Sequence, residues 1–150
     1  MNATARLIAT FLGIGYFPVA PGTAATAAGV AVVVFLKGAP MGYYAGLLFL
    51  LFTLGVVCGG HVEKELNQKD PGIVVIDEVV GIMIALVGLP LTPPVIVCGF
   101  FLFRALDMFK IYPINRFEAM PGGLGIMLDD VMAGLYTNIV LSIAVRWAGI

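Results

Sequence analysis

Four long runs of this chain carry no charge at all: Leu7–Leu36, Gly38–Gly60, Val79–Phe103 and Val131–Val145. The second exceeds the ~20 apolar residues needed to cross a bilayer. The rest of the composition agrees. Only 11% of residues are charged and 61% are hydrophobic, against about 25% and about 45–50% in soluble domains. A free-standing soluble globule, a disordered chain and a disulfide scaffold are all excluded on this pattern. The fold expected is all-α: a polytopic helical membrane bundle forming one domain over residues 1–150.

The charges that do occur are gathered. Fourteen of seventeen fall in two windows, His61–Glu78 and Arg104–Asp130; Arg6, Lys37 and Arg146 stand alone. The net charge of −1 gives no nucleic-acid footprint. Cys58 and Cys98 lie in apolar runs and read as small buried hydrophobes. His61 is the single histidine, too few for a His-rich zinc site.

Prolines and glycines divide the apolar runs. Pro18, Pro21 and Gly22 interrupt the first, so residues 7–22 read as an interfacial or re-entrant piece rather than a cleaved signal core. Thr23 is placed to cap a helix over Ala24–Leu36. Gly42/Gly46 and Gly55/Gly59 in the second run have the spacing that lets helices approach closely in lipid or associate with a second copy. Pro90, Pro93 and Pro94 split the third run into a short helical hairpin turning near Thr92, with legs over roughly 73–88 and 94–110. A long final helix is expected after Pro121-Gly122-Gly123, reaching about Trp147.

The hairpin makes the charges meet. Asp77 and Asp107 lie equally far from Thr92 on either side and come level in an antiparallel pair. Glu78 and Arg104 stand near the same height, and Asp129 and Asp130 fall early in the last helix. Arg104 and Asp107 share a helical face at i, i+3, with Lys110 one step further. The cluster end carries Lys64, Lys69, Arg104, Lys110, Arg116 and Arg6, against Lys37 and Arg146 at the other. That excess orients the cluster to the cytoplasm, with Tyr43, Tyr44 and Trp147 at the opposite interface.

Two chemistries suit the cluster. Asp77, Glu78, Asp107, Asp129 and Asp130 can hold Mg²⁺, which takes hard oxygen ligands, while Arg104 and Lys110 bind a phosphate. The glycine turns at Gly22-Thr23 and Gly122-Gly123 precede helices and offer backbone N–H groups to an anion. Equally, the charges can form a solvated network of salt bridges at helix ends, or an ion or proton site in a small transport or scaffold subunit.

Several phosphatase signatures are absent. Cys98 and Arg104 fit the spacing of a cysteine-phosphatase loop, but the residues between them are bulky, apolar and helical, so no free N–H cradle exists. There is no aspartyl-phosphate motif of the haloacid dehalogenase type. The lone His61 cannot supply a two-histidine lipid phosphatase, and Asp129-Asp130 lacks the spacing of a CDP-alcohol transferase.

Four stretches together have a family's look: Ala9–Pro18 with Pro21-Gly22-Thr23; Asp70-Pro71-Gly72 leading to Ile76-Asp77-Glu78-Val79-Val80-Gly81; Phe103-Arg104 through Asp107, Lys110 and Pro113; and Gly122–Asp130 with Ala133-Gly134. In order, they resemble the phosphatidylglycerophosphatase A family. The resemblance implies a helical Mg²⁺-dependent enzyme of the bacterial inner membrane that hydrolyses phosphatidylglycerophosphate to phosphatidylglycerol and phosphate. Ala24-Ala25-Thr26, Ile111 and Glu118 depart from the family's pattern.

Overall fold

The computed structural model describes residues 2–148. Those residues form helices joined by turns, with no strand among them. The helices are α1 (Ala3–Ala9), α2 (Pro21–Phe35), α3 (Met41–Leu66), α4 (Ile76–Leu86), α5 (Pro93–Phe109), α6 (Ile114–Glu118) and α7 (Gly123–Ala148). A 3₁₀ turn at Ile14–Tyr16 follows α1.

α4 is the centre of the bundle. Its residues are apolar on every side apart from Asp77 and Glu78, the pattern of a helix enclosed by others. Apart from Glu78 and Ile84, all of them are buried. It packs mainly on α7 and α2, with α3 and α5 closing the remaining sides. The α4/α7 crossing is backbone to backbone. A Cβ on Gly134 would strike the carbonyl oxygen of Gly81, so only glycine permits the contact.

α3 and α7 are each 26 residues, about 39 Å at 1.5 Å per residue. Both are long and apolar enough to cross a membrane. α4 has 11 residues and is only about 16 Å long. It ends inside the bundle, where its last carbonyls need partners. Two side chains supply them. Tyr44 Oη of α3 donates to the Met83 carbonyl at 2.6 Å. Asn138 Nδ2 of α7 donates to the carbonyls of Ile84, Ala85 and Val87 at 3.3, 3.1 and 2.9 Å.

The hairpin forms where the prolines place it. Gly88 takes a left-handed φ of +71°, and Pro93 opens α5, where its missing N–H costs nothing. The first leg is shorter than the sequence suggests. Residues 73–75 are not helical, because the Val75 N–H is bonded to the Ala9 carbonyl at 2.9 Å. That bond ties the approach to α4 onto the end of α1.

Other expectations change too. Thr23 does not cap α2; the helix starts at Pro21 with Ala20 at its cap position, because proline's fixed φ is already helical. Tyr44 points inward to α4, while Tyr43 and Trp147 are exposed. Cys58 is buried as expected, but Cys98 is exposed on α5. Gly55 and Gly59 pack inside the bundle, and Gly42 and Gly46 have open space around them. Large apolar side chains such as Phe35, Phe49, Phe101 and Trp147 point outward, a distribution that suits lipid contact.

Candidate functional site

The carboxylates converge where α4 and α7 begin and α5 ends. One oxygen each from Asp77, Asp129 and Asp130 lies within 4.8 Å of the others, and so does one each from Glu78, Asp107 and Asp130. Asp130 belongs to both sets. Asp77, Asp129 and Asp130 are only 7%, 3% and 2% exposed. The sharing arises because the first turn of α4 lies against the early turns of α7, with the last turn of α5 alongside.

Two cations serve five carboxylates. Arg104 pairs with Asp107, one turn along α5, and with Glu78 of α4 at 3.7 Å. Lys110 caps α5 in a left-handed conformation and reaches Asp129 at 2.8 Å, Glu118 at 3.0 Å and Asp70 at 3.8 Å. Burial opposes the charge on Lys110, but the hydrogen bond and field of Asp129 outweigh it and hold its pKa above the ordinary lysine value. Burial pushes the Asp70 carboxyl above the usual carboxylate range against the pull of Lys110.

Pairing does not exhaust the site. Asp77 Oδ1, Glu78 Oε2 and Asp130 Oδ2 are buried without a hydrogen-bond partner, and so is Arg104 Nε. Two unit charges 4.8 Å apart repel by about 3 kcal/mol at an effective dielectric near 20. Several such pairs rival the whole stability of a domain, about 5–15 kcal/mol. The cluster is therefore relieved either by protons held on its carboxyl groups or by added positive charge. Free carboxylate oxygens in a compact group are the donor set that a hard divalent cation takes.

Gly22 meets this site, and Thr23 follows it in the first turn of α2. A Cβ on Gly22 would overlap Glu78 Oε1 and come 3.2 Å from Arg104 Nη2. The N–H groups of both residues belong to the first turn of α2 and have no carbonyl within their own helix. Thr26 is buried and donates to the Gly22 carbonyl at 2.8 Å. Gly122 and Gly123 have a different setting. Gly122 turns the chain with φ +70°. A Cβ on Gly123 would strike the Val56 carbonyl of α3 and lie 2.8 Å from the Gly60 nitrogen. The glycine pair thus seats α7 on α3.

Three further acidic residues that the charge pattern alone did not single out lie on the Lys110 side of the site. Asp70 and Glu118 are partners of Lys110, and Glu63 lines the same small recess with Lys69 and Gly122. α6, which carries Glu118, escaped notice because it is five residues long. The Asp70-Pro71-Gly72 turn was the available signal for Asp70. His61 is exposed on α3 and takes no part.

Carboxylates, an Arg donor and an open helix start lie around one point, and the carboxylates form a group that could hold a metal ion. The sequence comparisons give the family. The model of the family described as Phosphatidylglycerophosphatase A matches residues 7–145. A phosphatidylglycerophosphatase A from Escherichia coli K12 is 33% identical, covering 91% of this chain and 80% of its own. One from Haemophilus influenzae Rd is 37% identical, covering 95% and 89%. A Bacteroides thetaiotaomicron protein, provisionally named a phosphatidylinositol-3-phosphatase, is 34% identical, covering 94% and 92%. No solved structure gives a significant match. The chain belongs to the phosphatidylglycerophosphatase A family.

Proposed function

We propose that this protein is a Mg²⁺-dependent phosphatase of the bacterial inner membrane that converts phosphatidylglycerophosphate to phosphatidylglycerol and phosphate. The observation that carries the reading is the set of buried, unpartnered oxygens on Asp77, Glu78 and Asp130 beside a partly free Arg104, in a chain of this family. Residues 1–150 act as a single domain, a multi-pass bundle with the cluster facing the cytoplasm, where six of its eight cations gather. Family membership speaks against the transport or scaffold reading.

Asp77, Glu78, Asp107, Asp129 and Asp130 are the residues that would hold the metal. When bound, the ion supplies charge neutralisation and polarises the phosphate for attack. The chain's own residues do the remainder. Arg104 keeps its place through Asp107 and Glu78, and offers Nε to a phosphate oxygen. The first-turn N–H groups of Gly22 and Thr23 add donors on the same side. Lys110 holds Asp129 in position and lends positive charge as the phosphoryl group leaves its glycerol oxygen. A carboxylate of the cluster serves either as base for water or as nucleophile; acid-quenched trapping of an aspartyl phosphate distinguishes the two.

The relatives' names point to two lipid head groups, a glycerol phosphate and an inositol phosphate. Both present a terminal phosphomonoester. The test is phosphate release by the purified protein from phosphatidylglycerophosphate and from phosphatidylinositol 3-phosphate, in mixed micelles with Mg²⁺. Faster release from phosphatidylglycerophosphate is expected. Preference for the inositol lipid would overturn the substrate, and release from neither by folded protein would overturn the activity.

A further inference from the structure

The substrate reading places a phosphate at the cluster but leaves the lipid's acyl chains unplaced. An apolar groove of about 230 Å³ runs between α2 and α5, lined by Ala27, Val30, Ile96, Val97, Phe100 and Phe101. Its walls carry no charge. The rings of Phe100 and Phe101 meet edge to face with centroids 5.4 Å apart, which fixes one side of it.

The position of the groove relative to the cluster is the informative part. α2 begins at the cluster with Gly22 against Glu78 and Arg104, and α5 ends there with Arg104. The two helices thus leave the site in the same direction, side by side. Ala27 and Val30 lie about 7 and 12 Å along α2 from Gly22, at 1.5 Å per residue. Phe100 and Val97 lie about 6 and 10 Å along α5 from Arg104 on the same scale. Both walls therefore occupy one depth interval, beginning just below the guanidinium that faces the phosphate.

A second apolar groove, of about 170 Å³, lies between α1 and α3 against Ile76. None of its lining residues belongs to α2 or α5, the helices that carry Gly22 and Arg104, and Arg6, next to Leu7 in sequence, is paired with Glu65 at 3.0 Å. The α2/α5 groove is the one with a phosphate-binding group at its head.

We propose that the α2/α5 groove holds one acyl chain of the lipid substrate and so makes the enzyme selective for long-chain lipids. The inference rests on the phosphatase reading above. Surrounding lipid is as apolar as the groove, so the gain is in packing and alignment rather than in removal from water. It acts through the position of the phosphate, where small displacements are costly.

Two measurements test it. In the first, Ala27→Trp and Val97→Trp fill the groove, with Phe35→Trp adding bulk on the outward face instead. Release is measured from dipalmitoyl and from dibutanoyl phosphatidylglycerophosphate. The short chain does not reach the groove. About a tenfold loss of kcat/KM on the long-chain lipid is expected for both groove variants, a typical hydrophobic-pocket effect. The short-chain lipid and Phe35→Trp should change less than twofold. Equal losses on both lipids, or no loss on the long one, would overturn the proposal.

The second measurement does not depend on turnover. Phosphatidylglycerol with a diazirine midway along one chain is photolysed with the wild-type protein, and labelled residues are mapped by mass spectrometry. Labels concentrated on Ala27, Val30, Ile96 and Val97, and not so concentrated with a phosphatidylcholine probe, support the groove. Even labelling of groove and outward residues such as Phe35 and Phe49 would overturn it. If the wild type hydrolyses neither lipid, the phosphatase reading fails, and the labelling still decides the groove.

Discussion

Asp130 stands in both sets of converging carboxylates, with one oxygen of Asp77, Asp129, Glu78 or Asp107 within 4.8 Å in each. Replacing it with Asn keeps the shape and removes one negative charge. Each ionised neighbour at that distance contributes about 3 kcal/mol of repulsion at an effective dielectric near 20. Compensation by Arg104 and by partial solvation reduces the recoverable part to about 1–3 kcal/mol. In the absence of divalent cations, and at a pH high enough to ionise Asp130, Asp130→Asn should therefore be more stable than wild type. The expected rise in Tm is about 2–12 °C, at 2–4 °C per kcal/mol for a chain of this size. With Mg²⁺ the difference should shrink or reverse. The wild type gains about 2.7 kcal/mol when the ion stands at a hundred times its Kd, and the variant should lose most of that gain. Its kcat should fall about a thousandfold, the upper scale for losing one electrostatic contact to the transition state. Thermal unfolding in detergent, with chelator and with Mg²⁺, reads both states. If Asp130→Asn is less stable in chelator and keeps the full Mg²⁺-dependent rise, the charge argument is wrong.

Three other substitutions probe separate parts. Asn138→Leu leaves the carbonyls of Ile84, Ala85 and Val87 without their donor and should cost about 1–3 kcal/mol. Its signature is a lower Tm with kcat retained at low temperature. Gly22→Val pushes a side chain into Glu78 and Arg104; a folded protein with kcat at least about tenfold down is expected, in keeping with a misplaced catalytic group. Lys110→Met strips the buried Asp129 of its 2.8 Å partner and should destabilise by about 3–5 kcal/mol, measured by the same thermal assay.

What could be read from the sequence was what charge and proline control. An acidic residue in an apolar chain is costly unless it has company, so the two charge windows had to meet, and Pro90, Pro93 and Pro94 left one way to fold between them. The features that escaped depend on long-range partners. Whether residues 73–75 continue a helix is decided by the Ala9 carbonyl, far away in the chain. Tyr44 carries an interfacial signature, yet α4 stops short and takes its hydroxyl as a cap. Gly22 and Gly123 look alike, each beside a proline turn before a helix, yet one faces the carboxylates and the other seats α7 on α3. Lys110 reads as a free cation until the folded chain brings Asp70 and Glu118 around it.

The central claim is that the buried carboxylates form one metal-and-phosphate site. The most direct test is phosphate release from phosphatidylglycerophosphate as Mg²⁺ is titrated, for wild type, Asp77→Asn and Asp129→Asn, each shown to be folded by its thermal transition. The account predicts saturable activation of the wild type, abolished by chelator, and no activation of either variant. Full activity in the variants, or release undiminished by chelator, would contradict it.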